Sequence, residues 1–309
     1  QDKNIAPEDS EFQVATLQGE GRRRTTTVKS SASVGGDYYL WVRVVVGEIE
    51  KEECFGPYAI KDSTTLVATA SEDTSESNFL GMPIERGLIQ SIEIKNTLVG
   101  TGHSLGDGNT YDVTDGKKGK YLGWYEQNEN GYYDVTIAGE GGVVANGNSA
   151  SLFRNIGVGI KGTSVEVTIT GLEYLDTGLV TSMSYMFYNC SNLANLDLND
   201  WDTSKVTSLF GTFQGCTNLR TLEVSNWNTS EVTMMGSPTP NFSYGGVFQD
   251  CKNLIELNLN NWDTTNVVAM GYMFCGCSGL TSLNLNNFNT SKADNMMLMF
   301  KDCKNLKDL

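Results

Sequence analysis

The residue types that do chemistry are few in this chain. Its single histidine, His103, stands between Gly102 and Ser104. One imidazole leaves no second histidine for a paired general base, a multi-histidine metal site or a conventional hydrolase triad, so His103 reads as a loop residue. The seven cysteines offer more. Cys275 and Cys277 are close-spaced, but Cys190, Cys216, Cys251, Cys277 and Cys303 recur at intervals of 26, 35, 26 and 26 residues, and no CxxC pair occurs. Zinc needs four ligands converging on one point, whereas a fixed interval sets them in a row, so no metal is expected. A disulfide needs Cα atoms within about 7 Å. Helices on the outside of a stack need more room, so the row reads as buried free thiols acting as small apolar residues; the state of Cys54 and Cys275 stays open. Asp107, Asp112 and Asp115 suggest a calcium loop. The glycine at its sixth position is missing, and Lys118 stands where the closing glutamate belongs, so a solvated turn cluster is the better account. Neither a cofactor nor enzymatic activity is expected.

The elements behind the cysteine register form an internal repeat. Trp201-Asp202-Thr203-Ser204 returns as a tetrad starting at Trp227, at Trp262 and, with phenylalanine first, at Phe288. The single long interval is one 26-residue unit plus an insertion of nine residues. Such a period is the mark of a solenoid. Within a unit, Val206, Leu209, Phe213 and Cys216 fall three and four apart, the spacing of one helix face. Thr203 or Ser204 would cap that helix, and Asn189, Gly215, Asp250, Gly276 or Asp302 would end it. Then comes Leu219-x-x-Leu222-x-Val224, repeated at Leu193/Leu196/Leu198, Leu254/Leu257/Leu259 and Leu280/Leu283/Leu285, a strand with alternate residues inward. Trp201, Trp227, Trp262 and Phe288 could form a carbohydrate platform, but their fixed register favours core packing. The expectation is a C-terminal array of about 26-residue strand–helix units, mixed α/β by repeats.

The pattern Trp-Asp-Thr-Ser-x-Val-Thr-x-Met-x-x-Met-Phe-x-x-Cys-x-Asn-Leu-x-x-Leu-x-Leu resembles the BspA-like class of leucine-rich repeats. The resemblance covers residues 175–309, with a lead-in from about 135. It implies a bacterial or protist surface protein similar to adhesins and interaction proteins, with no catalytic residues. Two departures stand out: Ala293 replaces the usual valine, and the third repeat is interrupted.

The N-terminal half is different. Residues 37–47, 58–70, 88–96 and 163–170 are rich in β-branched and aromatic residues, and Lys120–Ile137 reads as a hairpin turning at Asn130-Gly131. A β-rich, sandwich-like domain is expected over 34–145, with 146–174 as lead-in and cap of the array. Residues 1–33 are polar and include Arg22, Arg23 and Arg24. They read as a terminal arm, or as a strand able to pair with a neighbouring sheet edge.

Across 309 residues the net charge is −15, with 33 glycines and 5 prolines. That balance argues against nucleic acid, which needs a concentrated basic surface. No apolar run reaches the roughly 18–20 residues that span a bilayer. A start at Gln1 without a methionine fits a processed, exported product, and an extracellular or cell-surface location is expected.

Two surfaces could bind a partner. Outward strand positions align as Asn195/Asp197, Thr221/Glu223, Glu256/Asn258 and Ser282/Asn284, a mildly acidic ladder. The insertion at 236–246 carries Phe242 and Tyr244 between turn residues, and such insertions loop out. The favoured function is adhesion or recognition of a protein or glycan on another cell or matrix. The alternative is a self-assembling surface subunit, motivated by the arm and by a leucine segment left uncapped at Leu309.

Overall fold

In a computed structural model the described residues are 36–46, 49–60, 65–66, 78–161, 165–239 and 244–309. The arm at 1–33 and Phe242 lie outside them. The chain divides into two compact units, residues 1–64 and 65–309. In the first, β1 (Gly36–Val46) pairs antiparallel with β2 (Ile49–Ile60).

The second unit opens with a five-stranded mixed sheet in the order β4-β5-β6-β3-β8. Its strands are β3 (Ile89–Lys95), β4 (Thr110–Asp112), β5 (Leu122–Gln127), β6 (Tyr133–Ala138) and β8 (Thr168–Thr170). The hairpin read from the sequence is the antiparallel β5–β6 pair, running from Leu122↔Ala138 to Gln127↔Tyr133. Gly131 supplies the positive φ (80°) its turn needs. β3 runs parallel to both β6 and β8. The short β7 (Val143–Val144) pairs with β9 (Leu175–Asp176).

β8 leads directly into the repeats. Val167 bridges Leu193 in parallel, and β10 (Asn195–Asp197) pairs with β11 (Thr221–Glu223) at an offset of 26 residues. The sheet therefore covers the first coil and continues its ladder. At the junction, Gly171 (φ 73°) has Ile94 O only 1.9 Å from where a Cβ would sit, so no other residue fits.

The expected strand–helix unit is absent. The protein is almost all β, with no α-helix among the described residues. Positive φ is the physical reason. Within one repeat Gly211 and Gly215 both turn left-handed (63° and 80°), and the equivalent pairs are Tyr185/Asn189, Tyr272/Gly276 and Leu298/Asp302. A right-handed helix cannot pass through two such residues four apart. Each unit instead makes two consecutive tight turns, which bring Val206, Leu209, Phe213 and Cys216 inward at intervals of three and four just as a helix would. Thr203 caps nothing: its Oγ1 donates to Asn228 O in the next coil at 3.0 Å. The lead-in is itself a coil, because Ser151 and Asn155 (φ 62° and 59°) carry the same pair of turns and Phe153 N donates to Met186 O at 2.8 Å.

One hydrophobic core runs from Leu66 to Met299. Its spine is a stack of phenylalanines, 153, 187, 213, 248, 274 and 300, with successive ring centroids 5.2, 5.5, 5.8, 5.6 and 5.5 Å apart.

Candidate functional site

The repeating register of polar core atoms is absorbed by stacking. Trp201, Trp227 and Trp262 are buried, and their Nε1 atoms donate to Leu172 O, Leu198 O and Val224 O at 3.2, 2.9 and 3.1 Å. Phe288 is half-buried against the core. Cys190, Cys216, Cys251, Cys277 and Cys303 are free thiols whose Sγ atoms each contact the phenylalanine carbonyl of the preceding coil, at 2.9–3.2 Å. Burial pushes the thiols of Cys216, Cys251 and Cys277 well above the ordinary thiol range, which leaves them without nucleophilic thiolate near neutrality. The indoles and these cysteines are framework.

The loop of acids is also used internally. Asp107 Oδ2 accepts from Ser104 N at 2.7 Å, and the two oxygens of Asp112 accept from Thr114 N at 2.9 Å and Gly119 N at 2.8 Å. Burial raises the Asp112 carboxyl, but these bonds, helped by the Lys117 charge, hold it below its ordinary value. Carboxylates turned toward backbone N–H groups are not arranged around a cation. His103 stacks on Trp124 at 4.3 Å, with Nδ1 3.1 Å from Thr110 Oγ1.

The strand side presents a groove of about 560 Å³ lined by Arg220–Glu223, Ile255–Asn258, Asn260 and Ser282–Asn284. Six residues of the ladder, Thr221, Glu223, Glu256, Asn258, Ser282 and Asn284, line it; Asp197 is exposed one strand away, opposite Glu223 in the β10–β11 register. The leucines at 222, 257 and 283 are buried beneath, while Ile255 remains 53% exposed. Asn284 Nδ2 donates to Asn260 Oδ1 at 2.9 Å, and Asn258 Oδ1 accepts from Asn260 N at 3.2 Å, which orients the amides along one wall. Sequence reasoning missed Arg220 and Ile255. The signal was there: they share a register position with Ala194 and Thr281, and a position that varies so widely in size and charge is not set by stacking.

A second cluster lies along the turns. The Arg154 guanidinium sits over Tyr188 (4.7 Å) and Tyr185 (5.7 Å), Tyr185 meets Phe210 edge-on at 5.1 Å, and Phe210 meets Tyr244 at 6.5 Å. Tyr244 is 44% exposed, but the chain beside it is held down. Gly211 N donates to Gly245 O at 2.8 Å, and Gly245 N to Gln214 Oε1 at 3.1 Å. A Cβ on Gly245 would lie 2.1 Å from the Phe210 ring. This part of the insertion is anchored rather than looped out freely.

The coils match a family model. It is described as a Mycoplasma protein of unknown function, DUF285, and the match covers residues 160–238 and 242–309, breaking inside the insertion. No curated protein and no solved structure matches the chain. No helix among the described residues is long and apolar enough to cross a membrane.

Proposed function

We propose that this chain is an extracellular or cell-surface protein, not an enzyme, that mediates adhesion or recognition through the strand-side groove of a BspA-like leucine-rich array. The groove carries the reading. It crosses three coils, its rim residues are exposed and polar, and they vary where the stacked positions do not. The matched family, which is associated with BspA-like surface proteins, supports the location. The acidic chain, at −15, favours selective contacts over indiscriminate adsorption to anionic surfaces.

The test is a binding screen of the full chain against glycans, short peptides and extracellular-matrix proteins, repeated with Asn258→Ala/Asn284→Ala and with Tyr244→Ala. The groove variant is expected to lose about tenfold or more in affinity, as truncation of central polar contacts does, while Tyr244→Ala binds as the parent. Loss confined to Tyr244→Ala would move the site to the turn side. Fibres or defined oligomers of the purified chain in solution scattering, with no ligand bound, would replace recognition by self-assembly.

A further inference from the structure

We infer that the turn side carries a second binding site, at Arg154, Tyr185 and Tyr188, for a carboxylated sugar unit of a glycan. It goes beyond the groove and shares no residue with it. The cation is the starting point. The Arg154 guanidinium lies 4.7 Å from the Tyr188 ring and 5.7 Å from the Tyr185 ring, yet among the described residues its charge has no ion pair. Its Nε is closed off from solvent without an acceptor. Buried N–H groups are nearly always paired, so an exception points to a partner that the chain itself does not supply. Stacking does not demand an arginine either. Arg154 stands two residues before Ile156, the register position that Tyr188, Gln214, Gln249, Cys275 and Lys301 fill two residues before each cysteine. Gln214 and Gln249 use it to hold the insertion, accepting from Gly245 N at 3.1 Å and Gly246 N at 3.4 Å. The position serves local purposes coil by coil, and in the first coil it presents a cation.

The surroundings define that partner. A guanidinium is a planar fork that matches a carboxylate in two parallel hydrogen bonds, and the two tyrosine faces hold its plane in place. Tyr185 and Tyr188 are half-buried and meet edge-on at 5.4 Å, which sets their phenols beside the cation to exchange hydrogen bonds with sugar hydroxyls. Past Tyr185 the Phe210 ring continues the aromatic surface at 5.1 Å. An aromatic face is electron-rich and packs against the polarised C–H groups of a sugar ring. One cation suits one carboxylate per sugar: a densely charged polyanion needs several cations and is repelled by a chain at −15. A carboxylated sugar brings the carboxylate, the hydroxyls and the C–H face in one unit, which an aspartate or glutamate side chain does not.

The experiment presents the full chain to an array of glycans that bear uronate or other carboxylated sugars, each beside its methyl ester. A carboxylated glycan should bind, and esterification should weaken it by about tenfold or more, because the ester removes the charge that the guanidinium pairs with. This comparison uses the parent chain and does not depend on any variant folding. Arg154→Gln should lose about tenfold or more on the same glycan. Arg154→Lys should recover only part of that, since an ammonium cannot form the two parallel bonds, and Tyr188→Leu should weaken binding as well. Asn258→Ala/Asn284→Ala, in the groove, should bind the acidic glycan as the parent does. Unchanged circular dichroism spectra show that the variants are folded. Equal binding of acid and ester, full binding by Arg154→Gln, or no carboxylated glycan bound overturns the inference and leaves the groove reading standing. Loss confined to the groove variant overturns it too, by moving acidic-glycan binding to the strand side.

Discussion

At the scale of residues, the repeat solves one problem many times: the indole, thiol and threonine donors carried into the core find their acceptors in an adjoining coil. The indole of Trp227 shows the cost of removing one. Its ring lies parallel to Trp262 at 6.0 Å while Nε1 satisfies Leu198 O. Trp227→Phe keeps a ring and strands a buried carbonyl, so urea unfolding should show a loss of about 1–3 kcal/mol. Tyr185 makes a prediction in pH. Burial, together with Tyr244 and Tyr188 and against the pull of Arg154, pushes its phenol up to about 12. A phenol harder to ionise when folded than at its free value of about 10 contributes stability that is complete below pH 10 and is lost as pH rises through 12. Unfolding free energy should decline over that interval and Tyr185→Phe should flatten the decline. The sequence exposed the cysteine and tryptophan register fully. It did not expose what the hydroxyls do: Thr203 has the composition of a cap, and only the neighbouring coil shows that it donates outward.

At the scale of elements, the spacing of three and four that predicts a helix is produced equally by two successive turns. Inward side chains alone do not separate the two, since both return the chain to the core at the same intervals. The separating signal is the residue before each cysteine: Asn189, Gly215, Asp250, Gly276 and Asp302 all adopt positive φ, between 59° and 80°. Gly, Asn and Asp are the residues that tolerate it. They predict a helix stop because one positive φ also ends a helix; the second, four residues earlier, falls on Gly211 in one coil but on Tyr185, Tyr272 and Leu298 in three others, types that give no such signal. Gly211→Ala decides between the accounts. Inside a helix it would stabilise by up to about 1 kcal/mol; at φ 63° it should destabilise by about 1–2 kcal/mol, read from thermal unfolding. Far-ultraviolet dichroism should correspondingly lack the helical double minimum.

At the scale of the whole second unit, the sheet and the coils share one core, so residues 65–309 should unfold in a single transition, with Trp124 in the sheet and Trp227 in the coils reporting the same midpoint. Separate midpoints would divide that core. The ladder residues Glu223, Asn258 and Asn284 were legible because outward positions of a strand are fixed by its alternation. The interrupted pairing beside them was not, since the leucine pattern is the same in the paired and the unpaired coils. That interruption falls on the coil that floors the groove. Amide hydrogen exchange on the free chain tests it most directly: the amides of Ile255–Asn258 should exchange much faster than those of Asn195–Asp197 and Thr221–Glu223 that pair in β10 and β11. Equal protection in all three segments would mean that the ladder is continuous, and would contradict the interruption beneath the groove.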